Sequence, residues 1–465
     1  MNLTKFLEQG NIKITFKGLL FLVAVLYTGV YFLSGDLLTQ LPSNWFTNWL
    51  GEVFSLMDEH GFLNVWSGQN PGTHYLYYLL WKPSQALVGD AWYLGGLFSL
   101  LWYFVSISAL FLSVYFFYKI VEHISGEQKA VILGLIYIII FMTFEWFKVI
   151  DSLPIAVLLG AIYYGLKGSV RRGGFLLGLG ASLKPIGLFI LPVILKSDTY
   201  TKNQKILFTA VSVSTFSILM LPFIIGNFDI FISAFNWQSG RPPWETIYAL
   251  AMTFSGNPVP MDPFFQDFSG IVQRNWGWTG ITPVHSMMTT PVPDYNHWYS
   301  MVFMLFLSTA IGAFMLFKKI QTEKEFIWGC LFCLSIYFAV FYGWSPNFFF
   351  WIAPFLLILF PIVIPVAFRL VILLEYPLFY GLHLAYTSPD LVSSVSGLPA
   401  SVTSTLSPLG MGFWFIIIIK TAILLFFSVR SWRELPSENL VVYWRQRYIL
   451  WSKGNKSETA ATGIK

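Results

Sequence analysis

Apolar runs of about 20 residues recur along the whole chain, and they constrain its fold more than any other feature. A run of that length, coiled as an α-helix, matches the roughly 30 Å hydrocarbon core of a bilayer. The 465 residues are 56% hydrophobic and only 11% charged, which leaves no soluble domain of useful size. The chain therefore reads as an all-α polytopic membrane protein. About ten full spans are expected, at 17–34, 92–118, 130–147, 152–167, 206–226, 298–317, 325–343, 347–367, 369–386 and 412–429. The first has a basic flank but no small-residue cleavage site before Ser34, and reads as a retained span. Cys330 and Cys333 lie within the apolar GCLFCLS and read as small structural residues, since a metal site needs two more ligands.

One run does not fit a plain span. In GLGASLKPIGLFILP, residues 178–192, Lys184 interrupts apolar sequence immediately before Pro185. Proline lacks a backbone donor and clashes with the preceding turn. The run 173–195 can cross once, or fold back as two half-helices broken at Lys184-Pro185. The distribution of Lys and Arg decides between these. With a fold-back, 22 of them fall on the cytoplasmic side, seven in a basic tail over 430–465, against four outside: Lys82, Lys148, Arg241 and Arg274. With a crossing the tally is 10 inside and 16 outside. A re-entrant pair is therefore expected, with both termini cytoplasmic and Lys184 facing a wet or protein-lined cavity, the only setting for irregular backbone at membrane depth.

This topology places segments 35–91, 227–297 and 387–411 on the extracytoplasmic face, which carries 13 acids against four basic residues. In the first outer loop, residues 44–57 and 74–82 are amphipathic and rich in Trp and Tyr, as suits interfacial helices. The second outer loop, with its cap segment 251–297, is poor in charge and dense in aromatics, and reads as an ordered cap. There is no Gly-rich phosphate loop, GxSxG, HExxH or metal-spaced Cys/His cluster. A group donor, if there is one, is then not a cytoplasmic nucleotide, and nothing marks a nucleic-acid partner.

Several stretches together resemble a known family. A loop acid follows the first span, then Gly61 and Tyr75-x-x-Tyr78-x-x-x-x-Pro83; FKVIDSLPIAVLLGAIYYGLKGSVRRGGFLLGLGASLKPIGLFILPVIL covers 147–195, and RPPWETIYAL covers 241–250. These resemble the membrane-embedded GT-C glycosyltransferases, most nearly the polyprenyl-phosphate-mannose-dependent mannosyltransferases. The likeness covers residues 1–250, leaving 298–429 as a variable C-terminal module. It implies a GT-C-like fold and an enzyme that moves a sugar, mannose by that likeness, from a polyprenyl (dolichyl) phosphate to a lipid-linked, glycolipid or membrane-proximal acceptor on the extracytoplasmic face. It also implies a carboxylate base in the first outer loop. Glu52 matches the spacing best, with Asp58 and Glu59 next and Asp36 a further candidate. The family position is usually Asp, so Glu52 is a departure.

The residue types suit that chemistry. Displacing a prenyl phosphate from an anomeric carbon takes a carboxylate to accept the acceptor's proton and cations to meet the charge that develops on the phosphate. Lys184 and Arg241 are the candidate phosphate ligands. Asp151, Glu245, His60, Tyr75 and Trp244 are the candidate substrate contacts. Asp151 also reads as a helix cap before Ser152-Leu153-Pro154, and Arg241 as an ion-pair partner for Glu245. No cofactor is required; the acids can bind a divalent ion, but no spacing demands one. A single displacement inverts the anomeric centre and gives an α-linked product from an equatorial phosphate. The rival reading is a secondary transporter or lipid flippase, for which broken helices near the midplane are typical.

Overall fold

The computed structural model describes residues 16, 18–21, 23–25, 53–65, 70–88, 97–142, 149–229, 231, 246–254, 298–341, 348–387 and 408–437. Among them the chain is helical, with two isolated bridges and no strand. A helical stretch covers 53–60. The helices that follow are α1 (Pro71–Val88), α2 (Leu97–Ser125), α3 (Glu127–Met142), α4 (Val149–Leu166) and α5 (Val170–Leu183). A 3-10 turn (Pro185–Ile190) leads into α6 (Leu191–Lys196) and then α7 (Lys202–Gly226). The remainder comprises α8 (Ile247–Phe254), α9 (Trp298–Leu316), α10 (Glu323–Val340), α11 (Phe349–Leu359), α12 (Val363–Thr387) and α13 (Pro408–Glu434).

Among the described residues three helical segments are long and apolar enough to cross a membrane: Leu100–Ser125, Lys202–Gly226 and Met411–Glu434. Shorter apolar helices occupy 151–166, 185–196, 306–316 and 349–359. The span expected at 347–367 is instead α11, 11 residues and about 16 Å long, too short to cross. It stops because Phe360, preceding Pro361, is extended at φ −117 and ψ 159. Arg369, counted by the sequence as a cytoplasmic boundary residue, lies six residues into α12, buried over the rings of Phe349 and Phe350. The first-loop helices also shift. Pro71 starts α1 three residues earlier than expected, as suits proline in a first turn, and Pro83 does not end it.

The central packing unit is α5 between α4 and α7. It depends on glycines that let backbones touch. A Cβ on Gly174 would stand 2.6 Å from the Phe208 carbonyl oxygen, and one on Gly178 would stand 2.3 Å from that of Ser212. The Ser212 hydroxyl donates to the Gly174 carbonyl at 3.0 Å, the small-residue contact by which membrane helices approach closely. Between α4 and α5, Gly168 takes φ +71 and closes a tight hairpin, so the start of α4 lies opposite the end of α5.

Contacts with α10 give the direction of the broken segment. At the start of α10, Glu323 bonds His123 at 2.7 Å, and His123 contacts Lys167, beside the start of α5, at 3.1 Å. Past the break, Phe189 meets Tyr337 at 4.1 Å between ring centres, Val193 lies against Gly329, and the Asp198 amide donates to the Ile320 carbonyl at 2.7 Å. The chain thus descends antiparallel to α10. Residues 170–198 leave one end of the bundle and return to it, with Lys184 at the opposite end. Cys330 and Cys333 are free and buried in α10.

Gly178→Ala should therefore destabilise the protein by about 1–3 kcal/mol through overpacking, read as a lower melting temperature in detergent. Gly312→Ala, whose Cβ would meet nothing within 4 Å inside α9, should not lower it and should raise it slightly, by about 0.5–1 kcal/mol of stability.

Candidate functional site

The α4–α5 hairpin brings together two ionisable residues 33 positions apart. Asp151 sits in the first turn of α4, where the helix dipole favours a carboxylate. Lys184 ends α5: its amide makes a last helical bond to Gly180 at 2.8 Å, and its backbone is extended at φ −157 and ψ 117, as the residue before Pro185 requires. The Lys184 ammonium donates to the Asp151 carboxylate. The side chains are 20% and 5% exposed respectively, so the ammonium is the accessible member of the pair. It also stands 4.9 Å from the ring centre of Phe348, at the start of α11.

A helix end leaves carbonyls without intrahelical partners, and here the segment 70–73 at the start of α1 supplies donors. Asn70 Nδ2 and Thr73 Oγ1 both donate to the Leu183 carbonyl, at 3.1 and 3.3 Å. Between them Gly72 lies against Ser182; a Cβ on Gly72 would stand 2.4 Å from the Ser182 Oγ. The start of α1 is thereby seated on the break, one residue from Lys184.

The loop is fastened a second time through His74. Its Nε2 lies 3.1 Å from the Phe62 carbonyl, which can only accept, so Nε2 carries the proton. Burial lowers the His74 pKa to about 4, against the opposing effect of that bond. Phe62 packs on His74, Tyr75, Tyr78 and Phe223. Asn227, just past α7, donates to the Asn64 side chain at 2.9 Å. Loop segments 62–64 and 70–78 thus cover the ends of α5 and α7 opposite Glu323.

The site residues expected from sequence fall into three groups. Asp151 and Lys184 meet, and Tyr75 is half-buried nearby in the loop, its phenol shifted upward by desolvation. Asp58 takes another arrangement: Lys82 pairs with one carboxylate oxygen, and Gln85 Nε2 donates to the other at 2.6 Å. Lys82 lies nine residues beyond Thr73, about 14 Å along α1, so Asp58 is held at the end of α1 away from the break. Glu59 is exposed beside His60, with 3.8 Å between them. Glu52, Arg241, Trp244 and Glu245 lie outside the described residues, as do Asp36 and residues 255–297 of the cap segment 251–297, whose first four residues end α8.

Asn70, Thr73, His74 and Phe348 were not expected at the site. Asn70-Pro71 does signal a helix start, but a bond from Thr73 to residue 183 leaves no local trace. A second buried pair, Lys420 Nζ to Glu375 Oε1 at 2.5 Å, joins α13 to α12. Among the described residues no three His, Cys, Asp or Glu side chains gather into a metal-binding group. Comparisons of the chain with models of protein families, with curated proteins and with solved structures find no match.

The His74 geometry predicts a pH effect with a definite sign. The folded pKa of about 4 lies below the usual 6.5, so the unfolded chain binds the proton first as pH falls. Stability is complete above about pH 6.5 and falls toward pH 4, by about 3 kcal/mol from this residue. Melting curves should show that loss, and His74→Gln should flatten it.

Proposed function

We propose that the protein is an integral membrane glycosyltransferase. It moves a sugar, mannose by family likeness, from a polyprenyl-phosphate donor to a lipid-linked or membrane-proximal acceptor. The observation that carries this reading is a partly accessible lysine at a helix break over which the first outer loop is seated. Lysines lie along the opposite end, at Lys167, Lys202, Lys318 and Lys324, which the positive-inside rule assigns to the cytoplasm. The site then faces the extracytoplasmic side, where polyprenyl-linked sugars are consumed and no nucleotide is needed.

In this reading Lys184, with Arg241, meets the charge that grows on the departing phosphate. A first-loop carboxylate takes the proton of the acceptor hydroxyl as the new glycosidic bond forms and the anomeric carbon–phosphate bond breaks. Glu52 is the leading base, because Asp58 is committed to Lys82 and Gln85 and Glu59 is turned to the surface. A second reading, a transporter or flippase, gains from the Phe360-Pro361 interruption, since paired breaks are a transporter feature. That break carries no ionisable residue of its own.

The test is purified protein in sealed vesicles, given a radiolabelled polyprenyl-phosphate sugar and a membrane lipid extract. The glycosyltransferase forms a new labelled lipid, and Glu52→Gln lowers the rate by about 10²–10⁴-fold; Lys184→Ala also abolishes it while folding is retained. Label crossing the vesicle wall without a new covalent product favours the transporter.

A further inference from the structure

The ammonium assigned to the phosphate is already occupied. Lys184 and Asp151 form a pair with no net charge, one partner almost wholly buried, so the pair itself does not attract an arriving anion. With Asp151 still paired, an anion would meet the ammonium's remaining N–H donors but also the charge of the carboxylate; taking the place of Asp151 removes that repulsion. Three features allow that exchange. Lys184 is the more exposed partner and sits at a break, where its backbone is not held in helical geometry. Asp151 lies in the first turn of α4, where the helix dipole favours a carboxylate also when the ammonium leaves. The Phe348 ring borders the ammonium, which lies 4.9 Å from the ring centre, and offers the cation a partner besides Asp151.

We infer that Asp151 is a placeholder for the phosphodiester of the prenyl-linked donor, holding Lys184 in the ligand-free protein and surrendering it to the lipid phosphate. Asp151 is then a positioning residue that sets donor affinity and keeps the cation from capturing other anions. The inference rests on the glycosyltransferase reading for the identity of the ligand. A residue serving only to stabilise the helix would lower affinity when removed; a placeholder raises it.

The experiment measures dissociation constants of farnesyl phosphomannose, and separately of inorganic phosphate, for the full chain in nanodiscs. Asp151→Asn should tighten farnesyl phosphomannose binding by at least about tenfold, and Lys184→Gln should weaken it. The loss caused by Lys184→Gln should be at least about tenfold larger in the Asp151→Asn background than in the wild type, a coupling that the double variant measures. Because the double variant removes both charges, it is protected from the misfolding that one buried unpaired charge can cause. Asp151→Glu, which keeps the charge, should retain wild-type affinity. Weaker or unchanged binding by Asp151→Asn, or an equal cost of Lys184→Gln in both backgrounds, overturns the placeholder role while leaving the glycosyltransferase reading in place. Inorganic phosphate binding with the same dependence on Asp151 overturns the assignment to a lipid. No binding of farnesyl phosphomannose by any variant removes the glycosyltransferase reading, and this inference with it.

Discussion

The structure depends on how a lysine and a proline are accommodated where a helix would otherwise continue. Proline ends the hydrogen-bond ladder, and the lysine brings a charge into surroundings that solvate it poorly. Both costs are offset locally. The ammonium finds Asp151 across the α4–α5 hairpin, and the freed Leu183 carbonyl finds Asn70 and Thr73. Without those partners the break would expose unsatisfied groups that no lipid could solvate.

That solution also organises the remainder of the site. Because the donors to Leu183 come from the loop that starts α1, the loop is fixed against the same helix end that carries Lys184. Gly72 makes the contact close enough for hydrogen bonding. His74 and Phe62 then bind two parts of the loop to each other, and Asn64 and Leu63 press on the end of α7. The two described carboxylates of this segment lie away from the break: Asp58 is drawn by Lys82 to the other end of α1, and Glu59 is exposed beside His60.

How much of this is legible in the sequence varies from element to element. The break at Lys184-Pro185 is legible because a charge and a missing donor in an apolar run have few physical outcomes. DSLP marks a helix start, but the helix begins at Val149, so Asp151 lies inside its first turn and does not cap it; its pairing with Lys184 depends on the α4–α5 hairpin and has no local signal. The return of the segment agrees with the Lys and Arg distribution, a global property that does not need contacts to be known. What is not legible depends on tertiary neighbours. The bonds from Asn70 and Thr73 span more than 100 residues. The neutralisation of Asp58 needs Lys82 brought alongside by packing of Phe54 on Trp81. Pro361 sits in a run so apolar that composition alone favours a continuous span, and its effect on Phe360 is conformational. Arg369 shows the same limit, since aromatic rings can bury a guanidinium that a charge count places at the surface.

The account stands on the return of residues 170–198 to the side from which they started. The direct measurement is single-cysteine labelling in sealed, oriented vesicles, on a background in which Cys330 and Cys333 are replaced. Arg171→Cys and Thr199→Cys should react with an impermeant maleimide from one face, and Glu59→Cys from the other. Reaction of positions 171 and 199 from opposite faces contradicts the account, because the segment would then cross the membrane and Lys184 would have no site at the outer surface.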